Sequence, residues 1–189
     1  QGGTAEAANM RTSRATIDGR PIEFQADLTI LQAATSLRIE IPTLCHVEGL
    51  PAEGGCRMCV VEVEGASRPV AACHHPIMNG MTIRTVTPAL HELRRGILQL
   101  IVSEHRPDVF RGVGNSTKFA RLLAQYEVKE SPFHDTTASL SALTSPQSST
   151  GHSAAFSQGN VDDSHPYMRF NRSLCIACRA CLHACAQVQ

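Results

Sequence analysis

Tryptophan is absent from this 189-residue chain, and aromatic residues of any kind make up only 4% of it. A core must therefore be built from aliphatic side chains, which 42% hydrophobic content allows. Net charge is missing as well, because 17 Lys and Arg balance 17 Asp and Glu. That balance indicates neither the basic footprint of a nucleic-acid binder nor the polybasic face of a membrane-surface protein. Long apolar runs are lacking too. The longest, Ile97 to Val102, is interrupted by Gln99 and is far too short to span a bilayer. The chain opens on Gln1-Gly2-Gly3 with no apolar h-region, so no secretory signal is visible and a cytoplasmic location is expected. The Arg94-Arg95 pair lies inside a helical pattern and reads as helix surface, not as an export signal.

Cysteine is what the chain does have. Its eight cysteines form two separated sets, Cys45-x10-Cys56-x2-Cys59-x13-Cys73 and Cys175-x2-Cys178-x2-Cys181-x3-Cys185, and none lies outside them. Four disulfides in a secreted scaffold would also use eight cysteines, but such scaffolds are short and lack a core of their own. Zinc is the stronger rival, since CxxC pairs make tetrahedral sites. Zinc bound through CxxC pairs would not need the third and fourth cysteines of a CxxCxxCxxxC run. The pattern tilts towards iron–sulfur clusters, whose usual work is moving single electrons.

The expected architecture is α+β. Residues 1–13 read as a loose lead-in. Ala15 to Ile17 and Pro21 to Phe24, joined by Asp18-Gly19, read as a β-hairpin. Thr29 to Leu37 reads as a short helix, followed by strands at Cys59 to Glu64, Pro69 to Cys73 and Met81 to Val86. Hairpin, helix and returning strands around a cysteine loop describe a β-grasp over 14–87. Thr87-Pro88 starts a second helix, with Leu90, Leu93, Ile97, Leu100 and Ile101 at helical spacing. A further amphipathic segment places Phe119, Leu122, Leu123 and Tyr126 on one face, so 88–130 is a helical connector. Residues 131–161, rich in Ser and Thr, read as a linker or surface strap. The second cysteine set falls in 162–189.

Around the first set, Gly49, Gly54 and Gly55 would let the backbone approach sulfur closely and take up positive φ. The run Ile41-Pro42-Thr43-Leu44-Cys45-His46, with Gly54-Gly55-Cys56-Arg57-Met58-Cys59 and Ala71-Ala72-Cys73, resembles a known [2Fe–2S] domain. That domain is shared by the large iron–sulfur subunit of complex I, the diaphorase subunit of NAD-reducing hydrogenases and the α subunit of NAD-dependent formate dehydrogenases. The resemblance implies that Cys45, Cys56, Cys59 and Cys73 ligate a [2Fe–2S] cluster. Plant-type centres sit near about −400 mV, which suits exchange with NADH or formate. His46, His74 and His75 flank these ligands and read as supporting or surface residues.

In that family a His-x3-Cys-x2-Cys-x5-Cys motif follows the long helix. Here the histidine falls on His105 while the cysteines fall on Val109, Gly112 and Lys118, so no cluster is expected there. The second set is the bacterial-ferredoxin run, in which the fourth cysteine serves the other cluster of a pair. On that rule Cys175, Cys178 and Cys181 hold one [4Fe–4S] cluster and Cys185 a second. The partner motif would lie beyond Gln189, so this chain reads as the N-terminal portion of a longer polypeptide.

The flanks Asp163-Ser164-His165-Pro166-Tyr167-Met168 and Ala186-Gln187-Val188-Gln189 resemble formate dehydrogenase α subunits. The resemblance implies the electron-transfer portion of such a subunit, relaying electrons between a Mo/W-bis-pterin site and a flavin/NAD subunit. FMN and NAD would be held elsewhere in the complex, and the partners would be the rest of the catalytic subunit and that flavin subunit. A hydrogenase diaphorase or complex I-like subunit is the alternative parent. A non-redox zinc module is the reading from another class.

Overall fold

The computed structural model describes residues 12–25, 27–104, 117–133, 161–171 and 174–188. The chain divides into two compact units between His91 and Glu92, with the last four residues grouped with the first. The first unit opens on a hairpin, β1 (Ser13–Ile17) and β2 (Arg20–Phe24), paired antiparallel with Ala15 opposite Ile22. Asp18 and Gly19 both turn at positive φ, +50° and +76°, the backbone a two-residue hairpin loop demands. The Asp18 carboxylate also accepts hydrogen bonds from the Thr85 amide and hydroxyl, tying this turn to a residue 67 positions later in the chain.

The hairpin leads into α1 (Ile30–Ser36). Thr29 caps it, accepting from the Gln32 amide while the Gln32 side chain accepts from the Thr29 amide. Next come β3 (Val60–Val63), β4 (Val70–Ala71) and β5 (Thr82–Arg84). The five strands form one sheet in the order β2-β1-β5-β3-β4, with β1 and β5 parallel at its centre. This is the expected β-grasp: a hairpin, a helix across the sheet, and a final strand inserted beside the first. Ile17, Ile30, Ala33, Ala34, Val61 and Ile83 are fully buried in the core between helix and sheet. The two alanines give α1 a flat face with which to sit on the strands.

α2 (Pro88–Ser103) starts where Thr87-Pro88 predicts, with the Thr87 hydroxyl accepting from the Leu90 amide at 3.2 Å. Its buried line is Leu90, Arg94, Leu98 and Val102, whereas Leu93 and Leu100 are exposed. Arg94 is therefore not helix surface, as the sequence suggested. It is 3% exposed, and its Nη1 donates to the hydroxyl of buried Tyr126 at 3.4 Å. Arg95 is the surface member of the pair and meets Glu92 one turn away. α3 (Lys118–Gln125), capped by Thr117, buries Phe119 and Leu122.

The chain also holds a two-stranded hairpin, β6 (Val161–His165) with β7 (Met168–Asn171), and α4 (Ala180–Val188). The hairpin was not expected, and the first strand is exposed throughout. Of the lost-cluster register, His105, Val109 and Gly112 lie outside the described residues, while Lys118 opens α3. Most of the expected linker, 134–160, likewise lies outside them. Among the described residues no helix is long and apolar enough to cross a membrane.

Candidate metal centre

Two loops of the first unit carry the first cysteine set. One runs between α1 and β3 and holds Cys45, Cys56 and Cys59; the other follows β4 and holds Cys73. Each is pinned by core contacts next to its cysteines. Leu44 precedes Cys45 and Met58 precedes Cys59, and both are buried, Met58 completely. The first amides of α1 hold the second loop: Leu31 N–H donates to Ala72 C=O at 2.9 Å and Ile30 N–H to His75 C=O at 3.0 Å. Helix initiation thus leaves amides without intrahelical partners, and here they clamp the segment bearing Cys73. Ala72 N–H in turn donates to Cys59 C=O at 3.0 Å, joining the two loops.

Gly49 and Gly54 adopt φ of +81° and +67°, as the sequence suggests, but Gly55 does not. The third left-handed residue is Arg57 at +60°, between Cys56 and Cys59. These turns aim backbone amides at sulfur. Cys56 Sγ receives the Cys45 amide at 3.4 Å, and the amides of Met58 and Leu44 also point to it.

The four sulfurs associate as two pairs. The Cys45 thiol donates to Cys56, and the Cys73 thiol donates to Cys59. The hydrogen bond from Cys45 holds Cys56 down to about 5 against the opposing effect of burial, with the backbone amides helping. The bond from Cys73 likewise holds Cys59 at about 7. Cys45 and Cys73 are pushed far up, first by the proton each shares with its partner and then by burial. Two sulfur pairs with inward amides offer a donor set that a two-iron group could use, with two protein ligands to each iron. His74 and His75 are not members of this set: the His74 ring bonds Ala52 C=O at 3.1 Å and the His75 ring Pro76 C=O at 2.8 Å. Sequence reasoning missed the buried residues beside the cysteines. The signal was there, since Leu44 and Met58 each immediately precede a cysteine.

The second set is differently placed. Cys175 and Cys178 precede α4, with Ala177 and Arg179 on either side of Cys178 at φ of +52° and +62°. Cys181 and Cys185 lie one turn apart on α4 itself, and three of the four cysteines are exposed.

Residues 11–88 match the family model of a 2Fe-2S iron-sulfur cluster binding domain. The first cysteine set lies inside this [2Fe–2S] domain. Over 176 residues, 93% of the chain, the sequence is 32% identical to an NADH-quinone oxidoreductase subunit of Rhizobium meliloti (strain 1021). Over 92 residues, 49% of the chain, it is 44% identical to the NADH-ubiquinone oxidoreductase 75 kDa subunit of Reclinomonas americana. Over 93 residues, again 49% of the chain, it is 41% identical to the alpha subunit of the NADPH-Fe(3+) oxidoreductase of Geobacter sulfurreducens (strain PCA). The chain spans only 19%, 13% and 11% of those three relatives. In fold it is similar to a chain of an NAD+-reducing [NiFe]-hydrogenase, with a TM-score of 0.68 at 23% identity, covering 94% of this chain and 68% of that one.

Proposed function

We propose that this chain is the iron–sulfur electron-transfer portion of an NAD(P)H-linked oxidoreductase subunit of the complex I and NAD-reducing hydrogenase kind. The observation that carries the reading is the sulfur pairing inside the [2Fe–2S] domain: Cys45 and Cys56 would hold one iron, Cys59 and Cys73 the other. When bound, the cluster supplies one-electron chemistry at low potential. The protein's own contribution is to strip one proton from each sulfur pair, to direct amides at Cys56, and to bury Cys59 and Cys73. Hydrogen bonds to sulfur favour the thiolate and raise the potential of a bound cluster.

The relatives' names favour the parent that the sequence left as the alternative. All three are NADH or NADPH oxidoreductase subunits, and the structural neighbour is a hydrogenase chain. The formate dehydrogenase reading, with its Mo/W-bis-pterin site, rests on the segments flanking the second cysteine set alone. The partners proposed are the rest of this subunit and a flavin subunit holding FMN and NAD. Purified full-length protein should contain a [2Fe–2S] cluster visible by absorption and, once reduced, by electron paramagnetic resonance. Cys73→Ser should abolish or shift that signal. In the intact complex NADH or NADPH should reduce the cluster, whereas reduction by formate alone would return the assignment to a formate dehydrogenase.

A further inference from the structure

A cavity of about 360 Å³ opens on the first unit beside the proposed cluster. Its rim carries Arg57, Arg68, His74 and His75 over a floor that includes Val70 and Ala71, and no carboxylate lines it. The segments that build it come from three places: the turn between Cys56 and Cys59, the β3–β4 turn, and the loop just after Cys73. Ala71 and His74 also flank Gly54, each with its Cβ 3.5 Å from where a glycine side chain would begin. The cavity therefore sits against the backbone that carries Cys56, Cys59 and Cys73.

The charge around this cavity is uncompensated within the first unit. Neither arginine has a carboxylate within ion-pair distance among the described residues, whereas exposed Arg14 pairs with Glu23. Two exposed guanidinium groups face one hollow without internal compensation, in a chain whose total charge is zero. Arg57 lines the cavity from the left-handed turn, φ +60°, between Cys56 and Cys59.

We propose that this cavity is the docking point for an acidic segment of the protein that exchanges electrons with the [2Fe–2S] cluster. The inference rests on the cluster reading above and extends it to the partner's chemistry. Carboxylates of the partner would meet Arg57 and Arg68, and small apolar side chains between them would rest on Val70 and Ala71. Planar guanidinium groups suit carboxylates because they offer paired donors. Unlike charges steer encounter more than they add affinity, so the gain is chiefly in association rate and orientation. Seated there, the partner lies beside the backbone of three of the four proposed ligands. One electron would then pass from the reduced cluster to an oxidised centre in the partner, with no bond made or broken.

Oxidised rubredoxin, a small acidic one-electron acceptor, and oxidised cytochrome c, a basic one, serve as probes for the full-length protein. Zinc-substituted rubredoxin, which cannot accept the electron, reports binding alone by calorimetry. In the Arg57→Gln/Arg68→Gln double variant, rubredoxin reduction should slow about tenfold at low salt and lose most of its salt dependence. Zinc-rubredoxin binding should weaken in parallel, cytochrome c reduction should hold or rise, and Arg57→Lys/Arg68→Lys should recover most of the loss. Unchanged rubredoxin binding and rate, with the [2Fe–2S] spectrum intact, would overturn the docking proposal and leave the cluster reading standing. Equal slowing of both acceptors would also overturn it, by placing the effect on the cluster itself. A wild-type protein with no [2Fe–2S] spectrum that still binds zinc-rubredoxin through these arginines would overturn the cluster reading alone.

Discussion

Cys45 donates a hydrogen bond to Cys56, and Cys73 to Cys59, which pushes chemically identical side chains in opposite directions. In the metal-free protein Cys56 is held down to about 5, so its thiolate dominates from mildly acidic pH upward. The sign of the linkage follows. Cys56 contributes stability in full above the ordinary thiol value of about 8.5, and loses it as pH falls through about 5. Cys45 is raised, so its contribution is complete below the ordinary value and fades only as pH climbs far above it. Together the pair favours the metal-free fold most near the ordinary thiol value. Brief iodoacetamide treatment of reduced, metal-free protein at pH 6 should therefore label Cys56 ahead of the other three, because thiolate and not thiol is the nucleophile. Quantitative peptide mass spectrometry across pH 4 to 8 checks this, and preferential labelling of Cys45 would contradict it. Such readiness suits metal uptake, since two of the four sulfurs need lose little proton affinity when iron arrives.

At the scale of elements, two helices of this chain end in the same unusual way. After α1, Ile39 N–H bonds Ala34 C=O at 2.9 Å and Arg38 N–H bonds Thr35 C=O at 2.9 Å, with Arg38 at φ +57°. After α3, Val128 and Glu127 repeat the pattern to Leu123 and Ala124, with Glu127 at +53°. Both are Schellman endings, which favour glycine at the left-handed position. Arg38 is exposed and makes no side-chain bond among the described residues. Arg38→Gly should therefore raise stability by about 1 kcal/mol in denaturant titration, and a loss of that size would show an unseen role for the guanidinium. These endings also explain what sequence could reveal. The start of α1 is legible because Thr29 and Gln32 form a reciprocal cap ahead of Ile30, Leu31, Ala33 and Ala34. Its end carries no glycine, and so no local signal. The β1–β2 hairpin is legible through Asp18-Gly19, whereas Val161–His165 buries nothing and shows no alternation to mark a strand. Arg94 misleads for a third reason: a charged residue occupies a buried row because Tyr126, 32 positions later, offers its hydroxyl. The cysteine spacings exposed the first site, but its division into two sulfur pairs needs the fold that returns Cys73 to Cys59.

For the whole molecule, the decisive contrast lies between the two cysteine sets. The first falls in the unit ending at His91 and the second in the unit that starts at Glu92. Substitutions in the second set should then leave the [2Fe–2S] signal untouched. Within the second set, the left-handed turns at Ala177 and Arg179 reverse the chain around Cys178, while Cys181 and Cys185 follow one turn apart on α4. A helix rises about 1.5 Å per residue, so Cys185 lies about 6 Å further along the axis than Cys181. What favours donation of Cys185 to a different cluster is the C-x2-C-x2-C-x3-C spacing, as in two-cluster ferredoxins. In full-length protein, Cys178→Ser should remove about four irons and one [4Fe–4S] signal. Cys185→Ser should perturb a second [4Fe–4S] signal with different resonance parameters. Both variants should retain the [2Fe–2S] spectrum at wild-type intensity. If Cys178→Ser and Cys185→Ser erase the same signal and leave none behind, all four cysteines serve one cluster. Loss of the [2Fe–2S] signal in either variant would instead show that the two sets depend on each other for assembly.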